Sequence, residues 1–152
     1  MTKYEFVKRF LPEAEAAEKR FRINPVIMLA QAAIESGWGE SDLAKQHRNL
    51  FGITGYGPSN EFWHGYQVIL SEGGLPFRKY ADTQSSFFDY ARLIATAYPV
   101  AAAASYYPAA FAREIAYSKY ISEVNGDNRA VYCCLLESLS KSIGKLIKTP
   151  VC

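Results

Sequence analysis

Apolar positions at the start of the chain recur with a helical period. Phe6, Val7, Phe10, Leu11, Ala14, Ala17 and Phe21 fall on one face, with charged residues opposite, and predict an amphipathic helix over about residues 3 to 22. Asn24-Pro25 then supplies an N-cap and a first-turn proline. They open a run, Pro25-Val-Ile-Met-Leu-Ala-Gln-Ala-Ala-Ile34, in which Gln31 is the only polar side chain. A helix apolar on nearly all sides belongs at the centre of a fold. Glu35 closes the run, and Ser36-Gly-Trp-Gly39 follows.

Ser41-Asp42 has the form of another cap, starting a short helix through about Gln46. Over residues 54 to 62 the period is lost, and Gly55, Gly57, Pro58, Ser59 and Asn60 mark an irregular loop. Tyr66 to Ser71 and Phe77 to Tyr80 predict two short strands around a Gly73-Gly74 turn, a small hairpin. Thr83 is placed to cap a helix over about residues 84 to 98, with Phe87, Phe88, Tyr90, Ala91, Leu93 and Ile94 as its apolar face and Pro99 near its end. The alanine-rich stretch from Val100 continues as helix or turn, and Pro108 begins another helix to about Tyr117. After an irregular segment from Ser118 to Gly126, Asp127 or Asn128 caps a last helix reaching about Ile147.

This order of elements predicts an α+β domain that is mainly α, with one small hairpin. At 152 residues, 49% of them apolar, the chain can bury a core as a single domain over residues 1–152, and it holds no internal repeat or linker. A net charge of +2 does not argue for nucleic acid. Cys133 and Cys134 are neighbours in a helical stretch, where side chains diverge, so no disulfide framework is indicated and they read as small buried residues. His47 and His64 are the only histidines and lack metal-ligand spacing, so no metal is expected. No segment is apolar for the length of a membrane span, and the N-terminus lacks a basic start followed by a long apolar stretch. Neither membrane insertion nor a visible export signal is expected.

Glu35 admits two readings. In one it is a solvated residue at a helix end, with Gly37 as C-cap and Trp38 covering the core. In the other, desolvation and the negative end of the helix dipole disfavour the charged carboxylate, raise its pKa and make it a general acid. Ala32-Ala-Ile-Glu-Ser-Gly-Trp-Gly39 together with Asn49-Leu-Phe-Gly-Ile53 resembles the glucosaminidases of glycoside hydrolase family 73, which cleave peptidoglycan. Phe77 to Tyr90 adds a third matching stretch, and the likeness runs over about residues 20 to 145.

The resemblance implies a lysozyme-like helical domain with the hairpin lobe flanking the cleft, and an endo-β-N-acetylglucosaminidase acting between N-acetylglucosamine and N-acetylmuramic acid. Glu35 matches the family's catalytic acid. A second glutamate faces it across the cleft in the family. Glu72, beside the hairpin turn, is the match, ahead of Glu61, Glu40 and Asp42, with the substrate's own acetamido group as the alternative. Tyr120, in Tyr120-Ile-Ser-Glu, stands where the family's cleft tyrosine does, although the commoner Tyr-Ala-Thr-Asp-Pro form is absent. Asn49 and Phe51 border the cleft in such folds and are expected to mix structural and substrate-binding roles. Trp63 packs or stacks on sugar, Trp38 packs, and Arg78 reads as a solvated basic position on its strand.

The implied partner is the glycan strand of bacterial peptidoglycan, attacked at the cell wall by a monomer with no metal or organic cofactor. Delivery by a phage, by a secretion machine, or through an export segment trimmed from this sequence is expected. Glu-Ser at the end of an apolar helix also occurs in muramidases and lytic transglycosylases, which stand as the alternative activity. A glycan-binding module without turnover is the alternative of another class.

Overall fold

The computed structural model describes residues 1–121 and 128–148. Seven helices and one two-stranded sheet make up its named elements: α1 (Lys3–Phe21), α2 (Pro25–Ser36), α3 (Asp42–His47), β1 (Gln67–Ile69), β2 (Pro76–Arg78), α4 (Thr83–Ala97), α5 (Pro99–Ala103), α6 (Pro108–Ala116) and α7 (Arg129–Lys148). The mainly helical α+β class expected from the sequence is the one observed.

α1 begins with a reciprocal cap between Thr2 and Glu5 and buries Phe6, Val7, Phe10, Ala14 and Ala17 along one stripe. α2 starts at Asn24, whose Oδ1 accepts from the Val26 N–H at 3.0 Å, and every residue from Ile27 to Ala33 is buried. It is the central helix, packed against both α1 and α7. α7 is capped by Asn128, whose Oδ1 accepts from the Val131 N–H at 3.1 Å, while Asp127 lies outside the described residues.

Several local expectations change. α4 is capped by Asp82, whose Oδ1 accepts from the Ser85 N–H at 2.7 Å; Thr83 is the first helical residue, and its hydroxyl donates to Glu13 Oε1 at 2.9 Å. A carboxylate one residue earlier reaches the free N–H groups and leaves the threonine for a tertiary contact. Pro99 stands just past the end of α4, as expected, and also begins α5. The hairpin turn spans Ser71 to Gly74, with the Gly74 N–H donating to the Ser71 carbonyl at 2.9 Å and Gly73 at φ 73°. Its centre is therefore Glu72-Gly73, as a left-handed third position requires. The strands are shorter than expected, paired as Gln67↔Arg78, Val68↔Phe77 and Ile69↔Pro76. Cys133 is half-buried and Cys134 exposed on α7, so neither is the fully buried residue expected.

β2 ends at Arg78, which turns inward rather than lying in solvent. Its guanidinium pairs with Asp89 Oδ2 on α4 at 2.8 Å, donates to the carbonyls of Thr54 (3.1 Å) and Tyr56 (2.6 Å), and lies 4.0 Å from the Trp63 ring centroid. Asp89 is fully buried and also receives the Tyr80 hydroxyl, Arg92 Nε at 2.9 Å and Asn60 Nδ2 at 2.9 Å. Burial alone would push the Asp89 carboxyl up. The Tyr80 hydrogen bond and the flanking Arg78 and Arg92 charges outweigh it and hold the group below its ordinary value. Burial, followed by the negative charge of Asp89, pushes the Tyr80 hydroxyl strongly upward. This cluster ties the hairpin to the helical body.

Candidate active site

α2 stops abruptly just past Glu35. Gly37 and Trp38 both adopt the left-handed conformation at φ 57°, and Ser36 Oγ accepts from the Gly39 N–H at 2.8 Å. The chain therefore turns away at once, and Glu35 is left exposed on the last turn. Trp38 packs as expected, edge-on to Phe6 with centroids 5.4 Å apart. Glu35 is exposed, so the desolvation anticipated from the apolar run is not supplied by α2 itself.

The carboxylate lines a cleft of about 250 Å³. Its lining combines the loop Phe51 to Thr54 with Leu93, Tyr98, Lys119 and Tyr120. Among the described residues Glu35 is the one carboxylate lining this space. Gly52, at φ 67°, presents so little bulk that a Cβ there would stand 3.7 Å from Glu35 Oε2.

Asn49 explains why that loop holds its shape. Its Nδ2 donates to the carbonyls of Ile53 (3.0 Å) and Arg78 (2.9 Å), and its Oδ1 accepts from the N–H groups of Phe51 (3.2 Å) and Ile53 (3.3 Å). With 1% exposure and both ends of its amide engaged with backbone, Asn49 builds the wall and offers no group to a sugar. Phe51 is buried, stacked on Tyr90 at 4.0 Å, and touches the cleft as part of its floor. Trp63 is 2% exposed, lies under Arg78 and donates its indole N–H to the Tyr66 carbonyl at 2.8 Å. At that exposure the ring is packed inside the fold, with the Arg78 guanidinium over one face.

Tyr120 lines the same cleft as Glu35, half-buried and edge-on to Tyr98 at 5.7 Å. Burial first, and then the charge of Glu35, pushes its hydroxyl well above the ordinary range, so it stays protonated. Burial also raises the Tyr98 hydroxyl.

Glu72 occupies the second position of the exposed hairpin turn and lines no part of the cleft. The other carboxylates weighed against it are engaged elsewhere or at a helix start. Glu61 pairs with Arg20 at 2.9 Å, Glu40 with Lys45 at 2.9 Å, and Asp42 opens α3. Gln31 and Tyr132, to which the sequence pattern assigned no role in the site, both connect to the acid. Tyr132 donates to Glu35 Oε1 at 3.2 Å, and Gln31 contacts Tyr132 at 3.1 Å. The available signal was spacing, since Gln31 precedes Glu35 by one helical turn on the same face. Among the described residues no three His, Cys, Asp or Glu side chains come together to hold a metal ion, and no helix is long and apolar enough to cross a membrane.

Residues 11–142 match the profile of the glucosaminidase family, described as mannosyl-glycoprotein endo-beta-N-acetylglucosaminidase. The chain is 32% identical over 102 residues to the peptidoglycan hydrolase FlgJ of Vibrio parahaemolyticus, covering 59% of this chain and 32% of that protein. With the autolysin of Enterococcus faecalis it shares 35% identity over 100 residues, 60% of this chain and 13% of that one. It thus spans about a third or less of these curated relatives. The glycoside hydrolase domain of Salmonella typhimurium FlgJ superposes with a TM-score of 0.71 at 24% identity, covering 97% of this chain and 92% of that domain, which establishes the shared fold.

Proposed function

The chain belongs to the glucosaminidase family, and from that premise we propose that it hydrolyses bacterial peptidoglycan as an endo-β-N-acetylglucosaminidase. One observation carries the reading: Glu35, exposed on the last turn of α2, lines a cleft together with Tyr98, Tyr120 and the Phe51 to Thr54 loop. A glycosidic bond breaks when its oxygen is protonated while the oxocarbenium-like carbon is stabilised. Glu35 supplies the proton. It is exposed in the open cleft, but a sugar seated between Phe51 and Tyr98 displaces the water around it and favours its neutral, proton-bearing form.

The stabilising role passes to the 2-acetamido group of the substrate, because Glu72 sits in the exposed hairpin turn. That group attacks C1 as the leaving oxygen takes the proton, and water later opens the resulting ring, aided by the Glu35 carboxylate. Tyr120, kept protonated by burial, is a neutral donor facing the same region. The site of action is the cell wall, and a single chain supplies both walls of the cleft.

Digestion of purified peptidoglycan followed by mass spectrometry of the fragments tests this assignment. A reducing N-acetylglucosamine end is expected. A reducing muramic end would make the protein a muramidase, an anhydro-muramic end a transglycosylase, and intact glycan a binding module.

A further inference from the structure

A hydrogen-bonded chain runs from the core to the acid. Gln31 is fully buried on α2. Its Oε1 accepts from the Tyr90 hydroxyl, and its Nε2 donates to the Tyr132 oxygen at 3.1 Å. The Tyr132 hydroxyl donates to Glu35 Oε1 at 3.2 Å.

Valence fixes the direction of this chain. A tyrosine hydroxyl has one proton, and an amide has a separate donor and acceptor. With its carbonyl engaged by Tyr90, Gln31 turns its N–H toward Tyr132. Tyr132 then receives a donor on its oxygen and keeps its own proton for Glu35. Tyr90 is a secure starting point, since it is buried and stacked on Phe51 at 4.0 Å. Burial first, then the neighbouring Tyr132 and Glu35, pushes its hydroxyl well above the ordinary range, so it remains a donor. The other carboxylate oxygen, Oε2, lies toward Gly52.

On the basis of the glycosidase reading, we propose that Tyr132, oriented by Gln31, is a positioning residue for the acid. It holds Oε1 as an acceptor, so the proton delivered to the leaving oxygen is carried on Oε2 beside Gly52. In the reaction this proton passes from Oε2 to the glycosidic oxygen as the C1–O bond breaks, and the bonding electron pair stays with that oxygen. Tyr132 keeps its own proton throughout.

The test compares Tyr132→Phe and Gln31→Met with the unaltered protein in steady-state kinetics on soluble peptidoglycan fragments over a pH series. Each variant should lose about 10- to 100-fold in kcat, the worth of a hydrogen bond to a charged group, with KM within about twofold. In Tyr132→Phe the alkaline limb should move to higher pH, because the lost donor favoured the ionised acid. Tyr120 and Lys119 line the same cleft as Glu35 in both proteins, so the shift is read against them unchanged. A folded Tyr132→Phe with unaltered kcat and alkaline limb overturns the proposal. If that variant fails to fold, an unaltered kcat in Gln31→Met does the same. A second readout is independent of turnover: the carbon-13 NMR titration of the Glu35 carboxyl, assigned by its absence in Glu35→Gln, must move up in whichever variant folds. An unmoved midpoint overturns the positioning role. An inactive parent protein or an active Glu35→Gln would overturn the glycosidase reading instead.

Discussion

Gly52 faces the Glu35 carboxylate so closely that a Cβ on it would lie 3.7 Å from Oε2. That separation is ordinary contact, so the cost of Gly52→Ala in folding comes from its φ of 67° and is about 1 to 2 kcal/mol. The melting temperature should fall by a few degrees, about 2–4 °C per kcal/mol at this size. Hydrolysis of peptidoglycan at a temperature where the variant is folded should fall more than tenfold, because the methyl group takes the space beside the acid. Calorimetry and a turbidity assay measure the two effects separately, and a variant that is destabilised yet fully active would place the leaving oxygen on another side of Glu35.

Glu35→Gln keeps the shape of the side chain and removes its transferable proton. Wall lysis should drop by about 10²- to 10⁴-fold, the usual contribution of a general acid, with the far-ultraviolet circular dichroism unchanged. Tyr120→Phe should lower kcat by about tenfold and leave the ring contact with Tyr98 in place. Full activity in Glu35→Gln would sink the mechanism.

Asp89 gives the fold a defined acid sensitivity. Its folded carboxyl titrates below the ordinary value of about 3.9. The stability it contributes is therefore present above that pH and lost as pH falls through the lower, folded value. Asp89→Asn removes the counterion of a guanidinium that is only 8% exposed and should cost about 3 to 5 kcal/mol at neutral pH. Urea titrations at a series of pH values should show a smaller decline in stability below about pH 4 for the variant than for the parent. Equal acid limbs would remove Asp89 from the account.

Trp63→Phe separates packing from sugar stacking. Loss of the indole N–H bond to the Tyr66 carbonyl and of part of a buried ring should cost about 1 to 3 kcal/mol. KM for glycan fragments should stay within about twofold. A large rise in KM without loss of stability would return Trp63 to the cleft.

What was legible in the sequence was whatever local pattern dictates. α2 could be read from its apolar run between Asn24-Pro25 and Gly37, and Glu35 from its place on that run's last turn. Elements joined by distant partners were not legible. Arg78 looked like a solvated strand residue because its counterion, Asp89, belongs to the next helix, where a lone carboxylate among Phe87, Phe88 and Tyr90 carries no periodic signal. Gln31 and Tyr132 are 101 positions apart, and only packing of α2 on α7 brings them together. Glu72 was matched as a partner for Glu35 by chain order, which says nothing of how far a turn projects; it stands in the exposed hairpin turn and is not among the residues lining the cleft.

The clasp between Arg78 and Asp89 also separates two parts of the hairpin. Arg78 holds the Thr54 carbonyl, and Asn49 holds the Arg78 carbonyl, so the base of the hairpin and the Gly52 wall share one joint, fastened to α4. The tip, where Ile69, Leu70 and Leu75 stand exposed, lies outside that joint. Exchanges there are expected to leave the Gly52 wall beside Glu35 in place. If the chain hydrolyses peptidoglycan as proposed, a loop grafted between Leu70 and Leu75 is expected to change what the tip touches while leaving the cleft as it is.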